Sequence, residues 1–172
     1  AVSISTTAGF ATTDFSAWPV FLPILLIFSS FIGGCAGSTG GGLKVIRVFL
    51  LYLQGKREVD RLIHPKAIYA VKLGDRALPD RVVEAVWGFF SAYAVIFVVI
   101  MIGLIATGMD DLTAFSATAA MLNNLGPGLG DVSGTYAYVS DSSKWFLILA
   151  MLFGRLEVFS LLVLFSPTFW RS

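Results

Sequence analysis

One cysteine and one histidine are all that this chain offers as thiolate or imidazole metal ligands. A lone Cys35 excludes an internal disulfide, and Cys35 with His64 leaves nothing from which to build a metal cluster. Cys35 falls inside an uncharged run and carries no information on redox compartment. His64 stands before Pro65 in a polar stretch, the ordinary setting of a solvated side chain. Serine and threonine abound, yet no base accompanies any of them within the apolar segments, which argues against an intramembrane hydrolase. Charge is scarce as well: Asp, Glu, Lys and Arg make up 13% of the residues, about half the share of a typical soluble domain. No initiator methionine or secretory leader opens the chain, which begins inside a polar motif and reads as the C-terminal part of a longer protein.

What is present is hydrophobic: 56% of the residues, with 14% aromatic. Ala85 to Met109 carries no charge, and a helix of about 20 residues already crosses a hydrocarbon core of about 30 Å. Phe15 to Leu43 is also uncharged but has a glycine-rich centre, and Trp145 to Phe165 is interrupted only by Arg155 and Glu157. The pattern predicts three spans and one re-entrant segment in an all-α integral membrane chain. Lys44, Arg47, Lys56, Arg57, Arg61, Lys66, Lys72, Arg76 and Arg81 lie between the first two spans, and the positive-inside rule makes that connection cytoplasmic. Asp14, Asp110, Asp111, Asp131 and Asp141 then face outward against a single Lys144, a charge balance that concentrates cations.

Along the chain, residues 1–14 read as an extended stretch and turn. A helix from about Trp18 to Ile32 meets six glycines within residues 33–42. Each glycine costs about 0.8–1 kcal/mol relative to Ala in a helix, so the helix breaks there and resumes from Leu43 to about Gln54. Residues 55–80 form a polar linker with a short surface helix or two. A span from Arg81 to Thr107 follows, then a short helix capped by Asp110 or Asp111 and ending at Met121. An external loop reaches Ser143, and the last span descends to Pro167, with Trp170 and Arg171 at the interface. Residues 1–54 and 81–172 thus form two copies of one pattern, the earlier one incomplete.

Two polar stretches sit among these spans: Ser5-Thr6-Thr7-Ala8-Gly9-Phe10 and Asn123-Asn124-Leu125-Gly126-Pro127-Gly128. Non-helical backbone at membrane depth is tolerated where protein buries it or where it lines a watery cavity. Both stretches loosely match the glycine-containing strands whose carbonyls line potassium filters, although Pro127 stands where such a strand has tyrosine. The glycine-rich break contains Gly-Ser-Thr-Gly but fails as a phosphate loop, because Lys44 follows Leu43 and no Ser or Thr comes next. A break of this length suits a movable intramembrane gate better than a packing kink. Arg155, deep in the last span, carries a charge that costs at least about 2.5–3.5 kcal/mol at bilayer centre, and is expected to face protein or water.

Taken together, Thr6-Thr7-Ala8-Gly9-Phe10, Gly37-Ser38-Thr39-Gly40-Gly41-Gly42-Leu43-Lys44, Asn123 to Gly130 and Met151-Leu152-Phe153-Gly154-Arg155-Leu156-Glu157 resemble the Trk/Ktr/HKT superfamily of potassium transporters, most closely the C-terminal third of its bacterial TrkH-type members. The resemblance implies four span, pore-helix, filter and span repeats around a pseudo-fourfold pore in the bacterial inner membrane. The chain would supply part of the third repeat and all of the fourth. It implies Thr7, Ala8, Gly9, Phe10, Asn124, Leu125, Gly126 and Pro127 as filter residues, with K+ held by the carbonyls of Thr7, Ala8, Asn124 and Leu125. Gly34, Gly37, Ser38, Thr39, Gly40, Gly41, Gly42 and Arg155 would form the gate. No covalent cofactor is implied, and channel-like flow and symport with Na+ or H+ both remain open. The implied partners are the N-terminal repeats of the same protein, a second copy in a homodimer, the lipid bilayer and a cytosolic nucleotide-binding ring of the TrkA type, with no nucleic acid among them. The alternative is a coupled secondary transporter with a midplane solute site at the broken helices.

Overall fold

The computed structural model describes residues 2–10, 18–19, 21–34, 41–64, 67, 71–73 and 76–156. In chain order the elements are α1 (Val2–Ser5), α2 (Phe21–Phe31), α3 (Val45–Ile63), β1 (Lys72–Leu73), β2 (Arg76–Ala77), α4 (Asp80–Ala106), α5 (Asp111–Leu122), a 3-10 turn (Gly130–Val132) and α6 (Asp141–Arg155). Among the described residues the regular structure is helical apart from the antiparallel pair β1–β2, in which Lys72 faces Ala77 and Leu73 faces Arg76.

Helix α4 is the spanning element. Its 27 residues include an 18-residue window of mean hydropathy 2.6, and at about 1.5 Å per residue it exceeds the hydrocarbon thickness. Phe89, Tyr93, Ile100 and Leu104 form its buried face, while Val95, Val98, Val99 and Ile102 are exposed. A helix apolar on both its packed and its open face has lipid for solvent.

Helix α5 is central and re-entrant. All of its residues from Thr113 to Leu122 except Phe115 are buried, and it packs against α4, α6 and α2. Its first turns meet the far end of α4, where Ala114 and Ala117 share a cluster with Ile100 and Leu104. Its last residue, Leu122, instead meets Phe89, Tyr93 and Phe153. The helix therefore enters beside the end of α4 and stops about halfway along it. Its Ala, Ser and Thr side chains are small enough for neighbouring backbones to approach closely, the way helices associate when lipid removes the hydrophobic drive. Asp110 occupies the N-cap position, but its side chain makes no capping bond.

Four expectations from the sequence need correction. Residues 2–5 are a helical turn, not an extended stretch. Helix α2 starts at Phe21, three residues beyond Trp18, with the Leu22 amide bonded to the Pro19 carbonyl at 2.9 Å. Helix α3 runs nine residues beyond Gln54, to Ile63. Polarity there marks an amphipathic helix rather than a loop: Gln54 donates to Glu58 across one turn at 2.6 Å, and Arg61 pairs with the same carboxylate at 3.3 Å. The surface helix expected after it is replaced, among the described residues, by the β1–β2 pair. Of the last span, the described part is Asp141–Arg155, begun by Ser140, whose hydroxyl accepts from the Ser143 amide at 3.3 Å. Glu157, Pro167, Trp170 and Arg171 lie outside the described residues.

Glycine sets the distance between α6 and α5. A Cβ on Gly154 would collide with the Leu122 carbonyl, whereas one on Gly134 would meet nothing within 4 Å. Gly154→Ala is expected to destabilise the full-length protein in detergent by about 1–3 kcal/mol, and Gly134→Ala to leave it nearly unchanged. Equal midpoints in size-exclusion thermal denaturation would refute the close approach.

Candidate functional site

The two polar stretches fold alike from their first residues. At the end of α1, the Ala8 amide bonds to the Ser3 carbonyl at 2.8 Å and the Thr7 amide to the Ile4 carbonyl at 3.1 Å. At the end of α5, the Leu125 amide bonds to the Ala120 carbonyl at 2.7 Å and the Asn124 amide to the Met121 carbonyl at 3.0 Å. Both are Schellman closures, in which a left-handed residue turns the chain away from the helix axis and consumes carbonyls that would otherwise lack partners. The left-handed residues are Thr7, with φ 56°, and Asn124, with φ 54°, and among the described residues no other non-glycine has positive φ. Asparagine tolerates this region, but a β-branched threonine is strained there. Two residues on, Gly9 has φ 76° and Gly126 has φ 99°.

The stretches also meet. A Cβ on Gly9 would strike the Leu125 carbonyl and come within 3.3 Å of the Pro127 ring. A cavity of about 420 Å³ opens between them, lined by Gly9, Phe10, Leu125, Gly126, Pro127 and Tyr136, among others. Ala8 also borders this cavity, so Ala8, Gly9 and Phe10 of one stretch face Leu125, Gly126 and Pro127 of the other. Thr7 and Asn124 stand behind, at the turns that aim the strands. The C-terminal end of α5 carries about half a negative charge from its aligned peptides, which favours a cation beyond it.

The glycine-rich break is described at its two ends. The Gly33 amide closes α2 on the Ser30 carbonyl at 3.3 Å, and the chain returns through Leu43, whose amide bonds to the Phe31 carbonyl at 2.9 Å. A Cβ on Gly41 would collide with the Asn123 carbonyl, and one on Gly42 would lie 2.8 Å from the Ser30 carbonyl and 3.2 Å from Asn123 Oδ1. Gly42 has φ 78° as well, so its place is closed to side chains on two counts. Gly34 bonds through its carbonyl to the Val45 amide at 3.4 Å. Gly37, Ser38, Thr39 and Gly40 lie outside the described residues, with Cys35 and Ala36. Arg155 closes α6, and its side chain is exposed on this chain, one residue beyond the contact of Gly154 with α5.

Four residues essential to this geometry escaped the sequence reading. Tyr93 donates to Asn123 Oδ1 at 2.6 Å, and Asn123 Nδ2 donates to Ser30 Oγ at 2.8 Å. Isolated polar groups in apolar spans, Ser30 in α2 and Tyr93 in α4, were the available signal, because such groups seek partners in lipid. Tyr136, in the loop after the second stretch, donates its hydroxyl to the Gly126 carbonyl at 2.8 Å. Burial pushes its phenol above the usual tyrosine range, so it remains a donor at neutral pH. Ser116 Oγ receives the Leu129 amide at 2.9 Å and ties the outgoing strand back to α5.

Residues 1–172 match the family described as TrkH, cation transport protein. The Trk system potassium uptake protein TrkH of Vibrio parahaemolyticus is 71% identical over 171 residues, which cover 99% of this chain and 35% of that protein. The protein of that name from Escherichia coli K12 is 64% identical over the same coverage, and the K12 Trk system potassium uptake protein TrkG is 41% identical over 172 residues, 100% of this chain and 36% of that protein. The crystal structure of the potassium transporter TrkH from Vibrio parahaemolyticus superposes with a TM-score of 0.91 at 70% identity, covering 99% of this chain and 36% of that one. The chain spans about a third of the length of these relatives. With a spanning helix, a re-entrant half-helix and two like-folded strands meeting at one cavity, it belongs to the TrkH family of cation transport proteins, all-α proteins of the membrane.

Proposed function

We propose that the protein to which this chain belongs takes up K+ across the bacterial cytoplasmic membrane, and that this chain supplies two of the strands that strip and replace the ion's water. The observation that carries the reading is the meeting of two identically closed helix ends, Gly9 against the Leu125 carbonyl, at one cavity. Carbonyl dipoles held by a Schellman turn need no reorganisation when an ion arrives, and they replace its hydration shell. The carbonyls of Thr7, Ala8, Asn124 and Leu125 are the proposed K+ ligands. The names of the relatives, potassium uptake proteins, favour this ion over the organic solute of a coupled secondary transporter.

The segment of Gly34 to Gly42 acts in this reading as a gate, and Arg155 as the positive charge that hinders a cation until the gate moves. The described end at Gly41 and Gly42 supports that role, since both residues lie against Asn123 at the end of α5. A homodimer and a cytosolic nucleotide-binding ring that pulls on the gate complete the proposal, with K+ as cargo and no enzymatic step.

Gly9→Ser in the full-length protein should lower the K+/Na+ permeability ratio, because a side chain at that φ has the Leu125 carbonyl in its way. An unchanged ratio would count against the filter. Deleting residues within 34–42, or changing Arg155 to Ala, should raise K+ flux in proteoliposomes; lower flux from well-folded protein would reverse the assignment of both. Selectivity should also be insensitive to pH between about 6 and 9. The raised phenol of Tyr136 stays protonated throughout that window and loses its proton, with the bond to Gly126, only as pH climbs past the ordinary tyrosine value of about 10. A ratio that falls between pH 7 and 9 would refute the role of that bond.

A further inference from the structure

Asn123 is the residue on which the most elements converge. It is fully buried, forms the C-cap of α5 and directly precedes the left-handed Asn124 that begins the 124–128 strand. Its amide oxygen accepts from Tyr93 of α4 at 2.6 Å, and its amide nitrogen donates to Ser30 of α2 at 2.8 Å. Ser30 in turn donates to the Ile27 carbonyl at 2.6 Å, and is itself fully buried. Tyr93 is held by rings on two sides, stacked on Phe89 with centroids 6.2 Å apart and edge-on to Phe31 at 6.3 Å. The main-chain carbonyl of Asn123 faces Gly41, and its side-chain oxygen faces Gly42.

We propose that Asn123, clamped by Tyr93 and Ser30, is a positioning residue that sets the register of the 124–128 strand and passes the position of Gly41–Gly42 on to it. No polar group at this depth has water to replace a lost partner, so the amide has one favoured orientation as long as both neighbours hold it. Gly41 and Gly42 stand where any displacement of the chain end toward α5 presses on the Asn123 carbonyl or its side chain. The residue that receives that push is bonded to the first residue of the strand. Neither Tyr93 nor Ser30 lines the cavity between the two stretches; their effect on an ion is exerted through Asn123. The inference rests on the filter reading given above and adds to it a mechanical link between the gate and selectivity.

The test uses the full-length protein in proteoliposomes, with K+, Rb+ and Na+ permeabilities read separately from total flux. Tyr93→Phe removes one hydroxyl and keeps the ring packing; Ser30→Ala removes the second clamp. Each is expected to lower the K+/Na+ ratio about three- to tenfold, the effect of one buried hydrogen bond. Gly41→Ala, which forces a methyl against the Asn123 carbonyl, is expected to lower the ratio as well as change the flux, a result that a purely steric gate would not produce. Gly9→Ser runs alongside. If it shifts the ratio while Tyr93→Phe, Ser30→Ala and Gly41→Ala leave it unchanged, the positioning role is overturned and the filter stands. If Gly9→Ser also leaves the ratio unchanged, the filter reading falls and this inference with it. A uniform loss of all three permeabilities at constant ratio in the clamp variants likewise overturns the proposal, because it marks damage to the fold rather than to strand register.

Discussion

Backbone carbonyls and amides in hydrocarbon have no water to bond, and the described irregular segments near the end of α5 are arranged around that constraint. A half-helix that stops midway along α4 would leave its final carbonyls bare. The Schellman closure at Asn124 uses two of them, on Leu125 and Asn124 amides at 2.7 and 3.0 Å, and the same closure recurs at Thr7. The strands that leave these closures then meet at the cavity bordered by Gly9, Leu125, Gly126 and Pro127. Satisfying the helix end and turning the chain toward that cavity are therefore consequences of one turn.

The same constraint explains where glycine and the buried polar side chains sit. Gly41 and Gly154 press against the Asn123 and Leu122 carbonyls because a larger residue would hold α6 and the break away from the end of α5. Where close packing cannot satisfy a group, side chains do so: Tyr93 and Ser30 on the Asn123 amide, Ser116 on the Leu129 amide, and Tyr136 on the Gly126 carbonyl. Each of these bonds joins a different element to the strand or its supporting helix. The strand is thus anchored from α2, α4, α5 and the loop that follows it at once, which holds its geometry rigid.

On its polar side the chain obeys ordinary aqueous rules. Helix α3 continues to Ile63 as an amphipathic helix, and buried Arg57 reaches Asp80 at 2.6 Å to fasten the end of α3 to the start of α4. Leu50, Val71 and Val83 form a small apolar cluster beside that pair. The described part of the connection from α3 to α4 is therefore packed against both helices.

Hydropathy alone determined the membrane environment, the extent of α4 and the shortness of α5, because apolar length against bilayer thickness is a one-dimensional property. The glycine content of residues 33–42 and the polar stretch at Gly126 likewise marked where helices must stop, since local backbone cost is written into each residue, whereas the helical turn before Gly9 was read as extended chain. The length of α3 was misread because polarity was taken for a loop, when i to i+4 pairing from Gln54 to Glu58 was available to sustain a helix. Only the tertiary structure decided that Gly9 lies against Leu125, that Asn123 is held by Tyr93 and Ser30, and that Tyr136 serves Gly126. Those contacts arise where separate elements meet in space or where a loop closes on itself, and no local periodicity encodes which groups such a meeting brings together.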